Sequence, residues 1–180
     1  MNRFQFFPVS PLLVPLSLVA FSLWLSIVGL KGFPSNPLLV QRWETLTLSF
    51  EGPGTSETAN ENPFTDYRLL VTFSKGSTKK IIRGFYAADG KAADSGAESG
   101  NVWQVRFTPD ELGDWRFDAE LRRGALVAIR EEAAAGEVVP LKPGAGTFTV
   151  VESQVVGKAF RAQGRVAVDK GYYRIGGNGK

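Results

Sequence analysis

The sequence predicts an all-β domain, a β-sandwich of about seven strands, behind an N-terminal apolar segment. Beyond residue 40 the dominant hydrophobic period is two. Apolar and polar residues alternate over short runs, which puts one face of each run in a core and the other in water. The runs are separated by turn-forming pairs such as Asn62-Pro63, Lys75-Gly76, Asp89-Gly90, Gly113-Asp114 and Pro143-Gly144. After Lys31 no stretch keeps a convincing helical period except residues 129–135, which read better as a loop or hairpin tip ending at Gly136.

Residues 1–33 read as a signal peptide or signal anchor, an N-terminal hydrophobic helix. Arg3 is followed by no charge until Lys31, and residues 12–30 are almost wholly apolar. A basic start before an apolar run is the pattern of a secretory signal, and this run is barely long enough to span hydrocarbon. Ala20-Phe21-Ser22 and Ile27-Val28-Gly29 are both poor cleavage sites, so cleavage and an uncleaved anchor both stay open. Pro8, Pro11 and Pro15 oppose a buried core helix, because an interior proline costs about 3 kcal/mol. Export follows, to the periplasm or the medium, or to a membrane held by residues 12–30. Residues 34–39 form a linker carrying Pro34 and Pro37.

The sandwich is expected over residues 40–153. Leu46, Leu48 and Phe50 make the first alternating set, and Tyr67, Leu69, Val71 and Phe73 the second. Ile81 and Ile82 begin a third strand running to about Tyr86. Trp103, Val105 and Phe107 follow, then Trp115, Phe117, Ala119 and Leu121. Residues 125–130 and 147–151 are two further short candidates. The segment Phe107-Thr-Pro-Asp-Glu-Leu-Gly-Asp-Trp115 reads as a corner between sheets, with Pro109 and Gly113 suited to its turn. Residues 164–177 read as a hairpin turning at Asp169-Lys170-Gly171. An isolated hairpin is marginal in water. Residues 154–180 are therefore expected to be a linker and a hairpin opening a truncated second domain.

The absences decide much of the chemistry. With no Cys, disulfides, thiolate nucleophiles, cysteine-bound zinc and a lipidated anchor are excluded. With no His, imidazole catalysis and histidine metal sites go too. The net charge is +3. Residues up to 40 hold two basic side chains and no acid, so the remainder carries +3 − 2 = +1. Its Lys and Arg are scattered among acids, which argues against a nucleic-acid partner.

Asp110 and Glu111 are adjacent carboxylates on one loop. Glycosidase carboxylates flank a bond at about 5–9.5 Å, so structural or solvated roles are expected and no catalytic residue is assigned. Asp66 suits a cap on backbone amides. Asp66, Asp89 and Asp94 could also offer oxygens to Ca²⁺, but no spacing matches a calcium loop, and neither metal nor cofactor is expected. Alternation places Trp103 and Trp115 in the core. Trp43 and Tyr86 lie near strand ends beside loops and are the better surface candidates for stacking on sugar rings.

Four segments occur in order: Val40-Gln-Arg-Trp-Glu-Thr-Leu-Thr-Leu-Ser-Phe50, Asn62-Pro-Phe-Thr-Asp-Tyr67, Gly84-Phe-Tyr-Ala-Ala-Asp-Gly90, and Gly100-Asn-Val-Trp-Gln-Val-Arg-Phe-Thr-Pro-Asp-Glu-Leu-Gly-Asp-Trp115. Gly146-Thr-Phe-Thr-Val150 and a Gly-Arg-Val-x-Val…Tyr-Tyr hairpin follow. Together they resemble domain of unknown function 5060, from about residue 40 to residue 180. The resemblance implies an immunoglobulin-like sandwich at the N-terminus of exported bacterial proteins. There it precedes a (β/α)₈ barrel related to glycoside hydrolases, of the apiosidase-like or collagen-binding kind. It implies a non-catalytic module that packs on the downstream barrel, shapes an edge of its cleft, or holds a polysaccharide. The rival expectation is a cell-envelope adhesion module with no carbohydrate role. The sequence stops where the barrel would begin, so no catalytic residue carries over.

Overall fold

The computed structural model describes residues 38–157 and 159–175. The hydrophobic helix expected at residues 12–30 and the prolines of the linker lie outside them. Among the described residues the strands are β1 (Leu38–Gln41), β2 (Leu46–Ser56), β3 (Tyr67–Lys75), β4 (Thr78–Arg83), β5 (Phe85–Tyr86), β6 (Ser99–Phe107), β7 (Gly113–Arg123), β8 (Glu137–Val139), β9 (Ala145–Val151), β10 (Val166–Asp169) and β11 (Tyr172–Ile175). Two one-turn helices, α1 (Ala92–Ser95) and α2 (Phe160–Gln163), and a 3₁₀ turn (Val127–Ile129) sit in connections. Among these residues no helix is long and apolar enough to cross a membrane.

The strands form one sheet in the order β1-β9-β7-β3-β4, with β8 also on β7, and a second in the order β2-β6-β5. The alternation read from the sequence sets which side chains meet. Phe73 of β3 stacks on Phe107 of β6 with centroids 4.1 Å apart, and Tyr67 of β3 lies 5.1 Å from Trp103 of β6. Phe50 of β2 meets Phe117 of β7 edge-on at 6.0 Å. Each pair joins one sheet to the other, so the sheets pack face to face over a single apolar cluster.

Four connections carry the chain between sheets, β1–β2, β2–β3, β4–β5 and β6–β7, and two of them bear on the expected strands and corner. Residues 108–112 lead from β6 to β7, with Pro109 buried and Gly113 at φ 106. At the other, the expected strand from Ile81 to Tyr86 is broken at Gly84, where β4 of the first sheet hands over to β5 of the second. A Cβ on Gly84 would come within 2.6 Å of the Gln104 carbonyl oxygen, so no larger residue fits this crossing.

Three expectations need correction. Residues 125–130 are not a strand but a turn and the 3₁₀ helix, because β8 occupies the neighbouring register on β7 at residues 121–123. The linker expected to run to residue 39 already contains the start of β1, which pairs in parallel with β9. β8 was not expected at all; three residues are too few for a period to show. The hairpin is present, and β10 and β11 pair from Val166↔Ile175 to Asp169↔Tyr172.

Candidate functional site

Tyr86 is not a surface residue. It is 6% exposed, and its hydroxyl donates to the Thr55 and Gly100 carbonyl oxygens at 2.6 and 3.2 Å. Burial pushes its ionisation up, and its ring packs against Trp103 and Phe64. Its hydroxyl is held where β2 shifts register between Glu51 and Thr55, and with the ring buried no face is free for a sugar. Trp43 is half-buried in the β1–β2 turn at φ 65, and its indole N–H is buried without a partner among the described residues. Trp103 and Trp115 are each 1% exposed, in the core as alternation placed them.

The adjacent carboxylates of the corner are held by β3 and β4. Lys80 Nζ lies 2.5 Å from Asp110, Lys75 Nζ donates to Glu111 at 3.0 Å, and the Thr78 hydroxyl reaches Glu111 at 3.3 Å. Burial raises the Asp110 carboxyl, but the hydrogen bond and charge of Lys80 outweigh it, and the group sits below its ordinary value.

Asp66 closes a second latch. Its carboxylate accepts the Leu126 N–H at 2.9 Å and the Asn62 N–H at 3.0 Å. Asn62 Oδ1 in turn accepts the Phe64 N–H at 2.8 Å, which ties residues 62–66 to the 3₁₀ turn. The Leu126 N–H is the chief reason that Asp66 ionises below its usual range. Asp89, bound by the Ser95 hydroxyl, and Asp118, bound by Arg116, are lowered as well. A depressed native pKa stabilises the fold above the unfolded value, and that stabilisation is lost as pH falls through the native one. Thermal stability should therefore be level near neutrality and fall below the ordinary carboxylate value of 3.8. Asp66→Asn should flatten part of that acid limb; unfolding curves from pH 7 to pH 2 with equal slopes in both proteins would contradict the assignment. Among the described residues no group of three or more acids is placed to hold a metal ion.

Between the Asp66 latch and strands β3 and β4 lies a cleft of about 260 Å³. Phe64 (53% exposed) and Ile129 (72% exposed) stand at its rim. Its wall holds two arginines. Arg68 is 4% exposed and donates to the carbonyl oxygens of Arg130, Glu132 and Ala133 at 2.8, 3.0 and 2.8 Å. Its Nε–H is buried with no partner among the described residues. Arg83 is exposed and donates to the Ala128 carbonyl oxygen. Among the described residues neither guanidinium takes part in an ion pair, whereas Arg42, Arg116, Arg122 and Arg123 all do. Sequence reasoning missed this pair. Arg68 and Arg83 fall at outward positions of their strands, where alternation predicts solvated side chains, and the loop that buries Arg68 is set by tertiary contacts.

The β10–β11 ribbon carries the other unusual surface. Register puts Val168 opposite Tyr173 and Val166 opposite Ile175 on one face, and these are 72, 83, 51 and 41% exposed.

No curated protein matches this sequence. Among solved structures, a crystal structure of a candidate glycoside hydrolase from Bacteroides vulgatus is 29% identical, with a TM-score of 0.44. The match covers 73% of this chain and 19% of that one, so this chain spans about a fifth of that protein's length. Residues 39–122, from β1 into β7, match the family model described as domain of unknown function 5060.

Proposed function

We propose that residues 38–151 are a non-catalytic, immunoglobulin-like sandwich module of an exported carbohydrate-active enzyme, a glycoside hydrolase, and that the β10–β11 ribbon docks on a (β/α)₈ barrel of the same polypeptide. The family-model match and the resemblance of the ordered motifs support the context. The engagement of Asp110 and Glu111 with lysines supports a structural role for those carboxylates. The exposed apolar face of the ribbon carries the docking.

The size of that face selects its partner. Eight residues in two strands, at about 3.3 Å per residue and about 4.8 Å between strands, present a footprint of roughly 130 Å². A stable complex of separate molecules buries about 800 Å² per partner. A tethered domain escapes most of that requirement, because its effective concentration is already high.

In this chain the amides of residues 165–175 should exchange with solvent far faster than those around Val105. A bare apolar ribbon gains too little burial to offset about 1–2 kcal/mol of ordering per residue. A polypeptide that carries the barrel should protect them. Equal protection of residues 165–175 and Val105 in this chain would place the ribbon in the sandwich and remove the docking surface. An adhesion module would show the same exchange pattern, and glycan binding separates it from this reading.

A further inference from the structure

We infer that the cleft between Phe64 and Ile129 binds an acidic sugar, with the carboxylate of a uronate residue set on Arg83 above the buried guanidinium of Arg68. The inference rests on the reading of the domain as a carbohydrate module and names the class of polysaccharide it would hold. A buried charge is costly unless paired, yet among the described residues Arg68 is met only by carbonyl dipoles from residues 130, 132 and 133. Arg83 spends one N–H on Ala128 and keeps the rest of its fork toward solvent. Two guanidinium groups lining one concavity without a carboxylate make a field for an anion, and a guanidinium fork matches a carboxylate geometrically. Glu131 and Glu132 are the acids on the adjoining loop; both are exposed, and neither forms an ion pair with Arg68 or Arg83.

The rim supplies the second half of the recognition. Phe64 packs edge-on to Tyr86 at 6.2 Å, and its backbone N–H is held by Asn62, which positions its exposed ring at the rim. With Ile129 opposite, it offers apolar surface to the C–H groups of a sugar ring. A ligand with one carboxylate beside an apolar ring face satisfies both features, whereas a neutral sugar leaves the arginines unanswered. The cleft volume of about 260 Å³ suits one or two residues of a chain that continues beyond the rim.

The test is affinity electrophoresis and calorimetry on the full chain in non-ionic detergent. The probes are polygalacturonate, its fully methyl-esterified form and a neutral β-glucan. Polygalacturonate should retard the protein, with binding that weakens in salt, while the ester and the glucan should not. Arg83→Gln should lose affinity about tenfold, the scale of one charge-assisted hydrogen bond, and Arg83→Lys should lose less. Phe64→Ala should weaken binding without changing its salt dependence. Lys142→Gln, a charge removed from the β8–β9 connection, should bind like the parent. Equal loss in Lys142→Gln and Arg83→Gln would mean that a cationic surface alone is responsible, and would overturn the site. Equal binding of the ester or the neutral glucan would overturn the acidic specificity and leave the carbohydrate module standing. Binding of none of the three would also overturn it, while the docking reading is judged separately by exchange in the ribbon.

Discussion

Trp115→Ala is expected to cost the domain about 3–5 kcal/mol, the range for large aromatic truncations in cores. The side chain is 1% exposed, packs edge-on against Phe107 at 5.3 Å, and lies parallel to Phe148 at 6.4 Å. Its indole N–H donates to the Glu111 carbonyl oxygen at 3.0 Å, so its removal also frees the corner that joins the sheets. The ammonium of Lys80 sits 5.9 Å from its ring and loses that partner too. Whole domains have about 5–15 kcal/mol in hand, so the variant should unfold at a much lower denaturant concentration than the parent. A midpoint close to the parent's would mean that the tryptophan is dispensable to the core.

Gly100→Val is expected to be nearly as damaging, for the opposite reason. Gly100 lies in β6 beneath the β5–α1 connection, and an added Cβ would collide with the Ala88 carbonyl group and press to within 2.9 Å of the Asp89 nitrogen. These are backbone atoms and cannot rotate aside. Moving them would break the Val102 N–H bond to the Ala88 oxygen and the Ala87 N–H bond to the Val102 oxygen, both 2.9 Å. Overpacking typically costs about 1–3 kcal/mol, and the loss of two sheet bonds at about 1 kcal/mol each adds to it. Loss of protection at Ala87 and Val102 in hydrogen exchange, with a lowered unfolding midpoint, is the expected result. An unchanged exchange map would show that the chain yields there at little cost.

The long strands were legible because each has one wet face. β3 and β7 alternate cleanly at Leu69, Val71, Phe73 and at Trp115, Phe117, Leu121, and the same residues line the core. Elements failed to show where a partner rather than a pattern makes them. β1 is two exposed leucines, a buried valine and a half-buried glutamine, and its pairing with β9 makes it a strand. Residues 125–130 have strand-like composition, but Asp66 claims the Leu126 N–H and β8 claims the edge of β7. The cleft was invisible for a related reason. A strand pattern places Arg68 outside, and the loop that covers it carries no signal of its own. Tyr86 misled because nearness to a strand end says little about exposure when rings from other elements, Phe64 and Trp103, close against it.

The parallel pairing of β1 with β9 has a mechanical consequence. Leu38 lies beside Phe148 and Gln41 beside Val151, so the chain enters the domain at one end of this pair and leaves it at the other. A load drawn between the two sides of the domain therefore slides the strands past each other and strains every rung of the ladder at once. Peeling, which breaks rungs singly, is not available in that direction. Beyond the last rung, the Arg42 N–H donates to the Val151 oxygen at 2.8 Å and the Arg42 guanidinium meets Glu152 at 2.5 Å, so the exit is bolted as well. If the polypeptide is held at one side of the domain and pulled from the other, the domain resists in shear and transmits the load before it yields.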